Sequence, residues 1–241
     1  MSNFSTFLPA SGGTLKFQEF TSTGTFTPSA ALLAKGGWVE IILVAGGGGG
    51  STYKGYGNGG GGGQIVNKLV KTTGAVTVTI GAGGSANSPR GAYGGSSTFG
   101  SLATAYGGLG GNFGNVPGSS SGAGGGLVRT DVGLSNPSEV FDSISGVNNQ
   151  AKAGGIYGAG TTSTNGQSGM YSGGGARNSG IGGGCGFSGA VGGVYSGNNG
   201  GGGASWGNGA GGGSAGAANT GAGGGGNGAG GSGYCLVIWV E

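Results

Sequence analysis

The chain has 241 residues, of which 74 are glycine, with 6% charged residues, a net charge of +3 and no histidine. Glycine at this level with a strict three-residue period would mean collagen, but proline is scarce and stretches such as Gly182-Gly183-Gly184-Cys185-Gly186-Phe187 fit no such register. Low charge beside 34% hydrophobic residues also argues against an open, solvated chain.

From the N-terminus, Phe17–Phe20 and Thr23–Thr27 are weak strand candidates, and Trp38–Ala45 is a β-rich run apolar on both alternating faces, as a central strand is. Gln64–Lys71 suits a strand or a short helix, and its place between a glycine run and a clear strand favours β. Val76–Ile80 alternates cleanly, with Val76, Val78 and Ile80 on one face. Ser97–Ala105 is a further weak strand. The next strongly apolar run is Tyr234–Val240, at the other end of the sequence. Pairing it with Trp38–Ala45 completes a β-sandwich base from residues 23–106 plus 234–241. Residues 107–233 then form a glycine-rich insertion, and no segment has sustained helical periodicity.

Ordering so much glycine costs about 1–2 kcal/mol of backbone entropy per residue, and few side chains are present to offset it. Main-chain hydrogen bonding between closely approaching segments remains. The expected form is a lattice of polyglycine II helices, extended and three residues per turn like polyproline II, supported by weak Cα–H···O contacts. The expected fold class is therefore all-β, a sandwich base with a polyglycine II head.

Without histidine there is no Ser-His-Asp arrangement and little prospect of a zinc site. Asp131, Glu139 and Asp142 are the one acidic cluster, and solvated loop carboxylates account for them. No Gly-x-Gly-x-x-Gly match opens a helix after a strand, and no Gly-Lys-Ser/Thr follows one. Arg90, Arg129 and Arg177 stand apart and form no Arg-Gly-Gly repeat, so nucleic-acid binding is not expected. No cofactor, no metal and no enzymatic activity are expected. The N-terminus has no secretory-signal pattern and the apolar runs are strand-length, so no membrane insertion is expected. Cys185 and Cys235 are expected as free buried thiols.

The candidate binding residues are Tyr157, Met170, Tyr171, Phe187, Tyr195 and Trp206, recurring among Gly, Ser, Asn and Thr. That composition is favoured in adaptable recognition loops; the same aromatics would equally plug gaps between base and lattice. The less glycine-rich loops Asn112–Pro117, Leu127–Gln150, Thr161–Ser172, Phe187–Asn199 and Ser205–Asn208 are the other candidates.

Thr23–Pro28 (TGTFTP), Trp38–Gly50 (WVEIILVAGGGGG), Val76–Gly84 (VTVTIGAGG), Gly95–Gly100 (GSSTFG) and the closing Gly233–Glu241 (GYCLVIWVE) come in an order that resembles the glycine-rich tail-fibre and tail-tip receptor-binding proteins of tailed bacteriophages. The resemblance implies a β base with polyglycine II helices, a place in the virion and recognition of a receptor, protein or glycan, on the bacterial surface. It implies phage tail or fibre proteins as partners, with residues 1–22 as an attachment segment. It also implies a homotrimer, or else a monomer capping a trimeric fibre. The alternatives are a structural virion protein using the lattice as a rigid spacer, and a glycan depolymerase.

Overall fold

The computed structural model describes residues 13–53, 56–111, 165–166, 168–176 and 180–241. Tyr157, the three acidic residues of the cluster, Arg129, Arg177 and the loops 112–117 and 127–150 lie outside them. The described chain is almost entirely β and irregular extended structure. Its strands are β1 (Leu15–Phe20), β2 (Gly24–Phe26), β3 (Trp38–Val44), β4 (Ser51–Tyr53), β5 (Tyr56–Asn58), β6 (Ile65–Lys71), β7 (Val76–Thr79), β8 (Ser97–Phe99), β9 (Ala103–Ala105) and β10 (Tyr234–Val240). One short helix, α1 (Ala30–Ala34), interrupts them. Ser29 caps it by accepting from the Leu32 N–H at 3.0 Å, and its hydroxyl also donates to the Glu241 carboxylate.

Two open four-stranded sheets, ordered β1-β10-β3-β6 and β2-β7-β8-β9, share one core. Alternation decides which side chains enter it. Val39, Ile41 and Leu43 of β3 and Cys235 and Val237 of β10 face Phe26, Val78 and Phe99 of the second sheet. The Phe26 and Phe99 rings lie 5.9 Å apart, and Trp239 meets Phe26 edge-on at 5.3 Å. The last strand occupies the middle of the first sheet, paired on one side with β1 and on the other with β3.

Two expected strands change their bounds. Phe17–Phe20 is the end of a longer strand, β1 (Leu15–Phe20), because β10 offers it a full six-residue antiparallel ladder. Ser97–Ala105 is a hairpin of β8 and β9 rather than one strand. Gly100 turns the chain there with φ +52, the left-handed region that glycine enters without steric cost.

Glycine segments between the strands leave the sheets and hydrogen-bond to one another. Gly46 and Gly49 donate to Gly95 and Ala92, Gly47 and Gly50 to Gly231 and Gly228, and Gly48 to Gly61, all at 2.7–3.0 Å. The run 59–63 behaves likewise. Gly59 and Gly62 donate to Ala176 and Gly173, Gly60 and Gly63 to Gly224 and Gly221, and Gly61 to Leu109. Donors three residues apart thus serve the same neighbour, and each of these two runs donates to three neighbouring segments. Side chains are excluded by the closeness of approach: a Cβ on Gly60 would collide with the Gly48 carbonyl. The runs at 46–50 and 59–63 therefore bond with described segments of 107–111 and 165–233 as well as with one another, since main-chain bonding depends on spatial adjacency rather than sequence position.

Candidate functional site

The pairings give the lattice two ends. At the near end it joins the sheets: Ile65 N–H donates to Tyr171 O at 3.1 Å and Gly81 N–H to Ser97 Oγ at 2.9 Å, with Ser205 Oγ to Gly63 O at 2.6 Å and Gly233 N–H to Gly81 O at 2.8 Å beside them. At the far end the β4–β5 hairpin follows Gly50 and precedes Gly59. Asn87 N–H donates to Gly50 O at 3.3 Å, placing the 85–91 loop there. Gly57 N–H donates to Asn198 O at 3.0 Å and Gly57 O accepts from Gly200 N–H at 2.9 Å, placing the 195–199 turn there too. Ser196 and Asn199 close that turn with reciprocal main-chain bonds of 3.0 Å.

The candidate binding residues divide between these ends. Tyr171, Phe187 and Trp206 form a run of neighbouring rings at the near end, with centroids 5.5 Å and 6.5 Å apart, and Trp206 stacks on Tyr234 of β10 at 6.3 Å and 18°. Tyr171 and Trp206 are partly buried against a second cluster of Val44, Ile65, Cys185, Ala204 and Tyr234, with Ile42 and Leu236 beside it. They sit where the lattice meets the outer face of β3 and β10. Met170 is exposed nearby, its carbonyl accepting from Phe187 N–H at 2.7 Å. Tyr195 alone is exposed at the far end.

Two aromatics outside the sequence-derived set complete these groups. Tyr234 ends the ring stack; the alternation that sends Cys235 inward points it to the opposite face. Its hydroxyl donates to Glu19 Oε1 at 2.7 Å, and burial, followed by that bond and the Glu19 charge, pushes its phenol well above the ordinary range. Tyr56, exposed on β5, joins Tyr195 at the far end; nothing in its local sequence distinguishes it from a residue of the base.

The thiols lie on opposite faces of one sheet, Cys235 in the main core and Cys185 in the second cluster, and both are free. Burial pushes the Cys235 thiol up to about 12. A pocket of about 130 Å³ opens away from the lattice, lined by Leu15, Leu32, Trp38, Leu69 and Ile238 with Lys35 and Glu40 at its polar edge. Glu40 accepts from Asn67 Nδ2 at 2.8 Å. Among the described residues no three His, Cys, Asp or Glu side chains gather as a metal site, and no helix is long and apolar enough to cross a membrane.

A family model described as a glycine-rich domain matches residues 21–240. The chain belongs to this family. The match begins just after β1 and runs through β10, so it spans the second sheet, every strand of the first sheet except β1, and the glycine segments between them. No curated protein matches the chain. Within the domain, the described residues from 165 to 240 include no Lys, Arg, Asp or Glu.

Proposed function

We propose that this glycine-rich domain is a non-enzymatic adhesin of a phage tail fibre or tail tip, located in the virion. Its architecture is a β-sandwich base carrying a polyglycine II lattice. The base attaches to tail or fibre proteins and the far end faces a receptor on the bacterial surface. Support for the polyglycine II reading comes from the three-residue repeat of donors, which matches a helix of three residues per turn. The observation that carries the binding reading is the far end itself. The β4–β5 hairpin, the 85–91 loop and the 195–199 turn converge there, with Tyr56, Asn87, Tyr195 and Asn198 exposed on a scaffold held by main-chain bonds. Side chains on such turns vary without disturbing the scaffold, which is how binding loops are carried on rigid frames.

The test is adsorption of the purified protein to bacterial envelopes, together with its ability to block phage infection of the same cells. Binding that saturates and competes with infection supports the adhesin. A protein that is incorporated into virions yet adsorbs to none of the cells those virions infect is instead a rigid spacer. Release of reducing sugar from surface polysaccharide would identify a depolymerase.

A further inference from the structure

The outer face of the first sheet is covered by the lattice along only part of its length. Directly paired residues of neighbouring strands share a face, so Tyr234, Val44 and Ile65 form one outward row, and Phe17, Ile238, Glu40 and Leu69 form another further along the strands. Tyr171, Trp206 and Cys185 of the lattice pack on the first row. Around the second row, with Leu15, Val240 and Trp38 beyond it, the apolar side chains stand open to solvent. Leu15 is 48% exposed, Phe17 68%, Trp38 50% and Leu69 41%. Leu15, Trp38, Leu69 and Ile238 also line the pocket of about 130 Å³. A contiguous apolar surface of this kind marks a place where something docks.

We propose that residues 1–12 of the same chain cover this bare part of the sheet. Position favours that occupant. Thr14 N–H donates to Glu241 O at 2.6 Å and Glu241 N–H to Thr14 O at 3.0 Å, so the chain enters β1 at the corner of the bare face, immediately before Leu15. Reach is ample. Four strands span about 14 Å between the outermost two, a distance that about five extended residues cross. Chemistry agrees, since the segment carries Phe4, Phe7 and Leu8 and no charged side chain. It therefore sets no like charge against Glu40 or Lys71. One phenyl ring suits the pocket, because a cavity of about 150 Å³ holds benzene. A separate protein must also offset the translational and rotational freedom lost on docking, whereas a tethered segment is present at an effective concentration in the millimolar range. Seated there, the segment continues the apolar layer that Tyr171 and Trp206 begin.

Thiol labelling of the full-length protein reads the cover directly. Cys185 and Cys235 are buried, so Leu69→Cys supplies one accessible thiol on the bare face, and Thr25→Cys, at an exposed position of the second sheet, supplies a reference. Maleimide is expected to label Leu69→Cys about tenfold more slowly than Thr25→Cys, the protection given by a segment seated about nine-tenths of the time. Adding Phe4→Asp and Phe7→Asp to Leu69→Cys should restore the faster rate and leave Thr25→Cys unchanged. Phe4→Ser and Phe7→Ser serve as a milder pair should the aspartates disturb folding, which circular dichroism checks. Labelling of Leu69→Cys as fast as Thr25→Cys overturns the proposal and leaves the face open to a tail or fibre protein. Slow labelling that is indifferent to all these N-terminal substitutions overturns it too. Protection that appears only as concentration rises, together with a doubled mass in light scattering, gives the face to a second copy and likewise overturns it.

Discussion

The two halves of this molecule are ordered by different forces. In the base, Phe26, Val39, Ile41, Val78, Phe99 and Val237 fill a side-chain core between two sheets, and stability comes from apolar area removed from water. In the lattice almost nothing is buried except backbone. The runs 46–50 and 59–63 each satisfy their N–H groups on three neighbouring segments, and the absence of Cβ atoms allows those neighbours to approach. A side-chain core tolerates small changes of shape and is weakened by lost volume. A backbone lattice is indifferent to volume it never had, but has no room for an added methyl group.

The largest effect expected follows from the element the two regions share. β10 pairs with β1 and β3, and the lattice segment 228–233 leads directly into it. Deleting residues 234–241 leaves β1 without its ladder partner among the described strands, and it removes Val237 and Cys235 from the core. Base and lattice are expected to unfold together, read as loss of the β signal in circular dichroism. A truncated protein with an intact spectrum would separate the two regions.

The contrast sharpens within the glycines. A methyl group on Gly60 meets the Gly48 carbonyl, while one on Gly74 finds nothing within 4 Å. Gly60→Ala is expected to destabilise by about 3 kcal/mol, the upper range for overpacking. Gly74→Ala should stay within about 0.5 kcal/mol, as at ordinary surface positions. Denaturant melts of the two variants give the comparison, and equal effects would mean that the runs are not closely packed.

Much of the base was legible because side-chain alternation records burial. Trp38–Ala45, Val76–Ile80 and Tyr234–Val240 each announce a strand, and the isolation of the last predicts a long-range pairing. The arrangement of the lattice was not legible, because glycine carries no side chain by which one run could be told from another. Runs at 46–50 and 59–63 therefore read as appendages of strands, although they stand among the lattice segments. The candidate residues suffered from the same silence. Trp206 and Tyr195 have similar neighbours in sequence, and only the direction of each glycine segment decides that one lies by the sheets and the other far from them. Tyr56 was overlooked because its hairpin precedes the long glycine region.

The base also has a pH limit. Burial raises the Cys235 thiol from 9.0 to about 12. The folded state therefore keeps a proton that the unfolded chain releases above pH 9, and this contribution to stability is complete below that pH. It declines as pH rises toward 12. Urea midpoints should fall across that window by more in the wild type than in Cys235→Ala, whose lower starting stability does not alter the slope. Parallel slopes would show that the thiol titrates alike in both states.

The smallest stability difference tests the division between near and far ends. Trp206 stacks on Tyr234 and is partly buried against Val44 and Ile65, bridging lattice and sheet. Trp206→Ala should cost about 2 kcal/mol through lost area and stacking. Tyr195 projects from a turn whose bonds are main chain to main chain, so Tyr195→Ala should change stability by no more than about 0.5 kcal/mol. Adsorption should rank them in the opposite order, Tyr195→Ala weakening it by about tenfold as exposed interface aromatics do. Trp206→Ala should leave adsorption unchanged at temperatures where it remains folded. If instead Trp206→Ala abolishes adsorption while its melt is that of the wild type, then the ring stack beside the sheets is the binding surface and the far end is not.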